Sequence, residues 1–421
     1  MYLKTQSLCC VSIWYDGLLK VNWVYRLLII SIFISTFLGY VFNSGAIAYS
    51  PIIISLFLIL LTEIRQKTFF LAEDWVSVLL FSFYSFVAGL YYVISPYSGK
   101  FLTTHFLIIL VLPFLVLSLV RLGYYTPCFD SVKFRSKLIL SFLFLQFVIC
   151  IGQVATFTLG FGLPISEEYQ GFFGITGTFI NPNDLACIVL LITYIFIGLK
   201  NNLQHLTRKL GWGFIVVLLL LTGSRSALVL ALLLFVISQK YTLKTMFYIF
   251  LSMISLVFLY HTFSNHDDGV IGRIIARVDS ILQVLAGGMG KDSSMSIRAE
   301  SYLHFLDRFT ELGTGSGKIA NYFMYANNVN FNPELMFQNP HSLIVELGYW
   351  LGWLGLFLFL VATGYLLRYS KRKLQVIGLF VVSSMISSSV LGSLIFFLFF
   401  LITFFDKPKV HNETLFLTKG P

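Results

Sequence analysis

The chain has 421 residues, 57% of them hydrophobic and only 11% charged, against about a quarter charged in a soluble domain. This excludes an ordinary water-soluble enzyme, because too few polar side chains exist to cover a core of this size. The formal net charge of +10 reads first as a topology signal, since basic residues collect on cytoplasmic loops, and no nucleic-acid partner is expected.

The first 20 residues are too polar for a cleavable signal, so the first apolar block is expected to be an uncleaved anchor. Apolar blocks of about 16 to 25 residues then recur, the length that crosses a hydrocarbon core of roughly 30 Å. They predict spans at 27–42, 46–62, 76–95, 101–120, 138–159, 185–199, 211–222, 226–238, 245–263, 342–367, 374–390 and 392–405. The expected fold is an all-α integral membrane protein with about 12 transmembrane helices. With the N-terminus inside and the spans alternating, 21 of the 29 Lys and Arg fall on the cytoplasmic side. Among the short loops only Lys100 and Arg225 break the rule; six more lie in 264–341, and long loops cross largely regardless of charge. Three regions follow: spans one to nine in 1–263, a large periplasmic helical loop in 264–341, and the last three spans with a cytoplasmic tail in 342–421.

The cysteines Cys9, Cys10, Cys128, Cys150 and Cys187 have no zinc spacing and none lies in the long loop. Neither a metal nor a disulfide is expected there. That loop carries helix-spaced apolar residues, such as Ile274, Ile275, Val278, Ile281 and Leu282, and a second helical stretch at 296–312 ending at Gly313. It reads as a helical cap over the membrane domain. The Gly-rich GTGSG at 313–317 lacks the lysine of a nucleotide-binding loop, so no nucleotide and no other cofactor is expected.

Several residues stand out against this background. Arg225 is the single charge in LTGSRSALVLALL. An arginine at membrane depth costs about 2.5–3.5 kcal/mol and so normally has a polar partner or a functional cavity; the bland alternative is an arginine at a tight turn snorkelling to head groups. Asn181, Asn183 and Asp184 precede the sixth span, where helix capping is the simpler reading, above all for Asp184. Gly171, Gly174 and Gly177 could let backbone approach a ligand, although glycine-rich loops are common without one. Arg298 opens an amphipathic helix with Glu300, Tyr302, His304, Asp307 and Arg308, a pattern that also suits a solvated face. His341 lies at the mouth of the tenth span, where a lone histidine is more often an ordinary interfacial residue but is also a candidate general base, with Glu346, a carboxylate inside a span, just beyond it. Brought together on the outer face, which the sequence does not itself establish, two arginines would make a receptor suited to phosphates. Beside a histidine that accepts a hydroxyl proton, they fit transfer from a lipid diphosphate to an alcohol.

Four segments, GTFINPNDLACIVLL, LTGSRSALVLALL, SIRAESYLHFLDRFTELGTGSG and NPHSLIVELGYWLGWLGL, resemble the O-antigen polymerase/ligase superfamily of bacterial envelope glycosyltransferases in order and spacing. The resemblance covers roughly residues 170–360; the first 160 match only in hydropathy. It implies a metal-independent, GT-C-like glycosyltransferase of the inner membrane. The glycan donor would be linked to undecaprenyl diphosphate, and the active site would face the periplasm. Carried over by motif, Arg225 and Arg298 would bind the donor diphosphate and His341 would assist the acceptor hydroxyl, while Asn181, Asn183, Asp184, Tyr302 and Glu346 are candidates for substrate binding. The family often has Asn after this histidine; here Ser342 stands in its place.

The Phe- and Ile-rich composition and the divergent first half favour a polymerase, which extends a chain onto the next lipid-linked repeat, over a ligase acting on lipid A-core. A lipid-linked glycan flippase is the alternative of another class, but no internal repeat is visible and the informative residues gather at one face. Membrane lipids are expected partners, and the resemblance implies a separate chain-length regulator.

Overall fold

The computed structural model describes residues 3–42, 45–66, 75–94, 101–125, 128–164, 175–179, 181–199, 203–238, 302–303, 305–306, 342–386 and 393–405. They form α1 (Leu3–Phe42), α2 (Gly45–Gln66), α3 (Trp75–Ile94), α4 (Phe101–Tyr125), α5 (Cys128–Leu159), α6 (Pro182–Leu199), α7 (His205–Thr222), α8 (Arg225–Ser238), α9 (Leu343–Leu366), α10 (Lys373–Ile386) and α11 (Leu394–Ile402), with a 3-10 turn at Leu367–Tyr369. No strand occurs among the described residues. Each expected span except 245–263, which lies outside the described residues, falls on one of these helices.

Among the described residues six helical segments are long and apolar enough to cross a membrane: Trp23–Phe42, Ala46–Arg65, Lys133–Leu159, Pro182–Leu199, His205–Thr222 and Leu351–Tyr369. Trp75–Leu90, Leu107–Leu122, Ser226–Ile237 and Lys373–Ser384 are shorter apolar helices. The chain is a multi-pass membrane protein.

Burial separates the helices by role. In α6 every residue but Asn183 and Gly198 is buried, and it packs against α5, α7, α8, α10 and α11; a helix apolar all round belongs at a centre. Helix α11, LIFFLFFLI, is wholly buried as well. By contrast α2 exposes Ile53, Ile54, Phe57, Leu60, Leu61 and Ile64, a surface suited to lipid tails.

Lipid is as apolar as leucine, so packing and interhelical hydrogen bonds hold such helices together. Ser31 and Ser55 hydroxyls join α1 to α2 at 2.6 Å, and Ser85 donates to the Ile109 carbonyl at 2.6 Å, joining α3 to α4. Glu63 of α2 is buried; it accepts a hydrogen bond from the Tyr25 hydroxyl and pairs with Arg121 of α4 at 3.2 Å. A buried carboxylate survives only when so compensated.

These contacts also define one end of the bundle. Arg121 meets Glu63, Arg26 of α1 lies over the Phe134 ring of α5, and Arg135 donates to the Phe405 carbonyl after α11. Arg368, after α9, donates to Ser77 of α3 at 3.1 Å, and Tyr369 stacks on Phe405. The charge pattern assigns every one of these helix ends to the same side. Of the long loop, Phe305 is buried in the main core and Tyr302 packs against it, so that stretch docks on the bundle.

Candidate functional site

The opposite end holds the polar features singled out from sequence. Helix α5 ends at Gly160, which has a positive φ of 75°, and the chain turns back on it. Thr156 donates to the Leu163 carbonyl at 2.7 Å, Leu163 N–H donates to Gly152 O at 3.2 Å, and the Tyr40 hydroxyl of α1 donates to Pro164 O at 2.7 Å.

Two glutamines of α5, neither flagged as a candidate from sequence, then fix the segment that leads into α6. Gln153 accepts from the N–H groups of Thr176 at 3.1 Å and Gly177 at 2.9 Å. Its amide nitrogen donates to the carbonyls of Gly177 at 2.8 Å and Pro164 at 3.0 Å. Gln146 accepts from Thr178 N–H at 3.1 Å and donates to the Thr178 hydroxyl at 2.6 Å. The two side chains thus supply the partners that a neighbouring strand would. Gly177 itself has φ of 61°, and a β-carbon there would collide with the Gln146 amide oxygen, so glycine is required for the close approach. The available signal was their spacing: seven residues apart, they share one face of an apolar helix.

The segment delivers Asn181 to the head of α6. Asn181 is the N-cap, accepting from Asn183 N–H at 2.8 Å through its side chain and from Asp184 N–H at 3.0 Å through its carbonyl. Pro182 takes the first helical position, where a missing N–H is harmless. The capping expected above all of Asp184 therefore belongs to Asn181. Asp184 sits one turn in as a buried carboxylate, near the positive end of the helix dipole.

Helix α7 runs back from the arginine-rich end, as Phe196 against Trp212 shows. It closes on Gly223, left-handed at φ 60° and ψ 21°. Two residues later Arg225 begins α8, which packs on α6; the arginine thus stands at a tight turn, and its side chain lies outside the described part. Helix α9 begins beside Ser342, whose hydroxyl caps it by accepting from Val345 N–H at 3.3 Å. Ser342, the departure from the pattern of the family that the sequence resembles, thus has a defined job at a helix start. Glu346 follows in the first turn, buried, its N–H on Ser342 O at 3.0 Å.

Three helix N-termini therefore share this end, carrying Asn181, Asn183 and Asp184 (α6), Arg225 (α8) and Glu346 (α9). Each of these N-termini carries the positive end of a helix dipole, which favours an anion near it. Arg298 and His341 lie outside the described residues, as do Gly171, Gly174 and most of 264–341; Tyr302 is present as a half-buried docking residue. Among the described residues no group of His, Cys, Asp and Glu is arranged to hold a metal.

A many-helix membrane protein with a built polar end opposite its arginine-rich end is the class that fold and site define. Residues 213–360 match the family model described as O-antigen ligase, which bears out the resemblance to the O-antigen polymerase/ligase superfamily over that segment. The matched stretch contains Arg225, Arg298, Tyr302, His341 and Glu346, and it ends inside α9. No curated protein and no solved structure matches the chain.

Proposed function

We propose that the chain is a glycosyltransferase that moves a growing glycan from undecaprenyl diphosphate to the end of the next lipid-linked repeat, at the periplasmic face of the inner membrane. The observation that carries this reading is that Arg225, Arg298 and His341 all fall within the matched segment. Arg225 and Arg298 would hold the donor diphosphate, helped by the helix N-termini of α6, α8 and α9. Histidine 341 would accept the proton of the attacking hydroxyl as the bond from sugar to diphosphate breaks. Asn181, Asn183, Asp184, Tyr302 and Glu346 would line the glycan path. No step calls for a metal or nucleotide.

The family description favours a second reading, transfer of the finished chain to lipid A-core by a ligase, which uses the same donor chemistry. The lipid-glycan profile of a strain lacking the chain separates the readings. Single capped repeats are expected for a polymerase, long chains left on the carrier lipid for a ligase, and repeats trapped inside the cell for a flippase. Arg225→Ala, Arg298→Ala and His341→Ala should each abolish chain extension while the protein still inserts. Unchanged chain-length ladders from all three would sink the site assignment.

A further inference from the structure

Helix α5 buries two amides, Gln146 and Gln153, in an otherwise apolar span. Burying an amide is costly unless it is hydrogen-bonded, and both side chains are hydrogen-bonded to the chain that links α5 to α6. Gln153 engages that chain at two places. It donates to the Pro164 carbonyl, where the chain leaves the end of α5, and it holds Thr176 and Gly177, where the chain returns. The Tyr40 hydroxyl of α1 donates to the same Pro164 carbonyl. One side chain therefore fixes both the departure and the return.

From there the path to α6 is short. Ile175 is buried in the main core and Phe179 packs against it. Phe179 N–H donates to Thr176 O at 3.2 Å, closing a turn over the residues that the glutamines hold. Asn181, the N-cap of α6, follows two residues later, and Asp184 lies one turn into the helix. Hydrogen bonds fix distance and direction, whereas apolar burial is non-directional. The two amides thus set where the head of α6 stands relative to α5.

We propose that Gln153, assisted by Gln146, is a positioning residue for glycan transfer, holding Asn181, Asn183 and Asp184 where they meet the glycan. The inference rests on the glycosyl-transfer reading above, in which those three residues line the glycan path. Because the glutamines act through residues that bind and not through the bond that breaks, their loss weakens binding of the lipid-linked glycan. That raises KM and leaves kcat in place.

The test uses full-length protein in detergent, with equal amounts of folded protein taken by size-exclusion chromatography. The substrate is the total envelope lipid of a strain lacking the chain, which holds donor and acceptor for polymerase and ligase alike, and transfer is followed against its concentration. Gln153→Leu should raise KM about tenfold with kcat kept within about twofold, the loss of one or two neutral hydrogen bonds to the glycan. Gln146→Leu, which frees only Thr178, should raise KM roughly threefold. Ser85→Ala removes a hydrogen bond between α3 and α4 and should lower Tm without moving KM. If Gln153→Leu does not fold, Gln146→Leu carries the test. A wild-type KM in the folded glutamine variants, or an equal rise in Ser85→Ala, overturns the positioning role and leaves the transfer reading standing. Wild-type protein that transfers no glycan removes the transfer reading, and this inference with it.

Discussion

Gln153 is fully buried inside an apolar helix, and both ends of its amide engage backbone. Its removal has a cost that follows from those partners. Leucine fills similar volume but leaves the N–H groups of Thr176 and Gly177 without acceptors, at about 1–3 kcal/mol for each buried donor. Gln153→Leu should therefore lower Tm, and hydrogen exchange at Thr176 and Gly177 should accelerate while exchange in α11 stays slow. Unchanged exchange at those two amides would show that the hydrogen bonds do not hold the segment. At this scale the sequence was partly legible. Asn181, Asp184 and Glu346 drew notice as polar residues at span ends, a position with known chemistry. The cap itself went to Asn181 because Pro182 fits the first helical position, which makes the residue before it the cap. Gln146 and Gln153 escaped notice because an uncharged residue inside an apolar span changes neither charge count nor hydropathy much. What they do depends on a segment more than 20 residues away in the chain.

Among the elements, α9 departs furthest from its sequence. GYWLGWLG reads as one apolar helix, yet Gly352 breaks it at φ 63° and ψ −159°. Hydropathy does not register such a break, since glycine is common in continuous membrane helices too. The residue is buried in the bundle, as interrupted backbone at membrane depth must be. Beyond the break the helix packs along α3, with Phe359 against Tyr84; before it lies the turn that carries Glu346. The break thus lets the first turn take its own direction while the rest follows α3. Gly352→Ala puts a side chain at positive φ with an extended ψ, a combination essentially confined to glycine, and should cost about 1–3 kcal/mol. Gly364→Ala, where a β-carbon meets open space in ordinary helix, should be neutral or slightly stabilising. Thermal unfolding of both variants in one detergent checks the contrast; equal Tm values would mean that the break at 352 is not rigidly held.

For the whole molecule, two independent lines agree on which helix ends belong together. Counting charges along the chain groups the ends bearing Arg26, Arg65, Arg121, Arg135 and Arg368. Side-chain contacts group Arg26 with α5, Arg121 with α2, Arg135 with α11 and Arg368 with α3. The charge count used no contact, and the contacts used no membrane rule. The order of helices was legible because a span must be long and apolar. Their neighbours were not, because α6 and α2 have similar composition while one is central and the other faces outward. The direction relative to the cell decides whether the site can meet a periplasmic donor. In a background with Cys9, Cys10, Cys128, Cys150 and Cys187 replaced, Gly290→Cys should react with an impermeant thiol reagent applied outside the inner membrane. Lys371→Cys, beside the Arg368 end of α9, should react only after the membrane is permeabilised. The reverse pattern would turn the molecule over, place Arg225 and Glu346 in the cytoplasm, and remove the basis for periplasmic transfer.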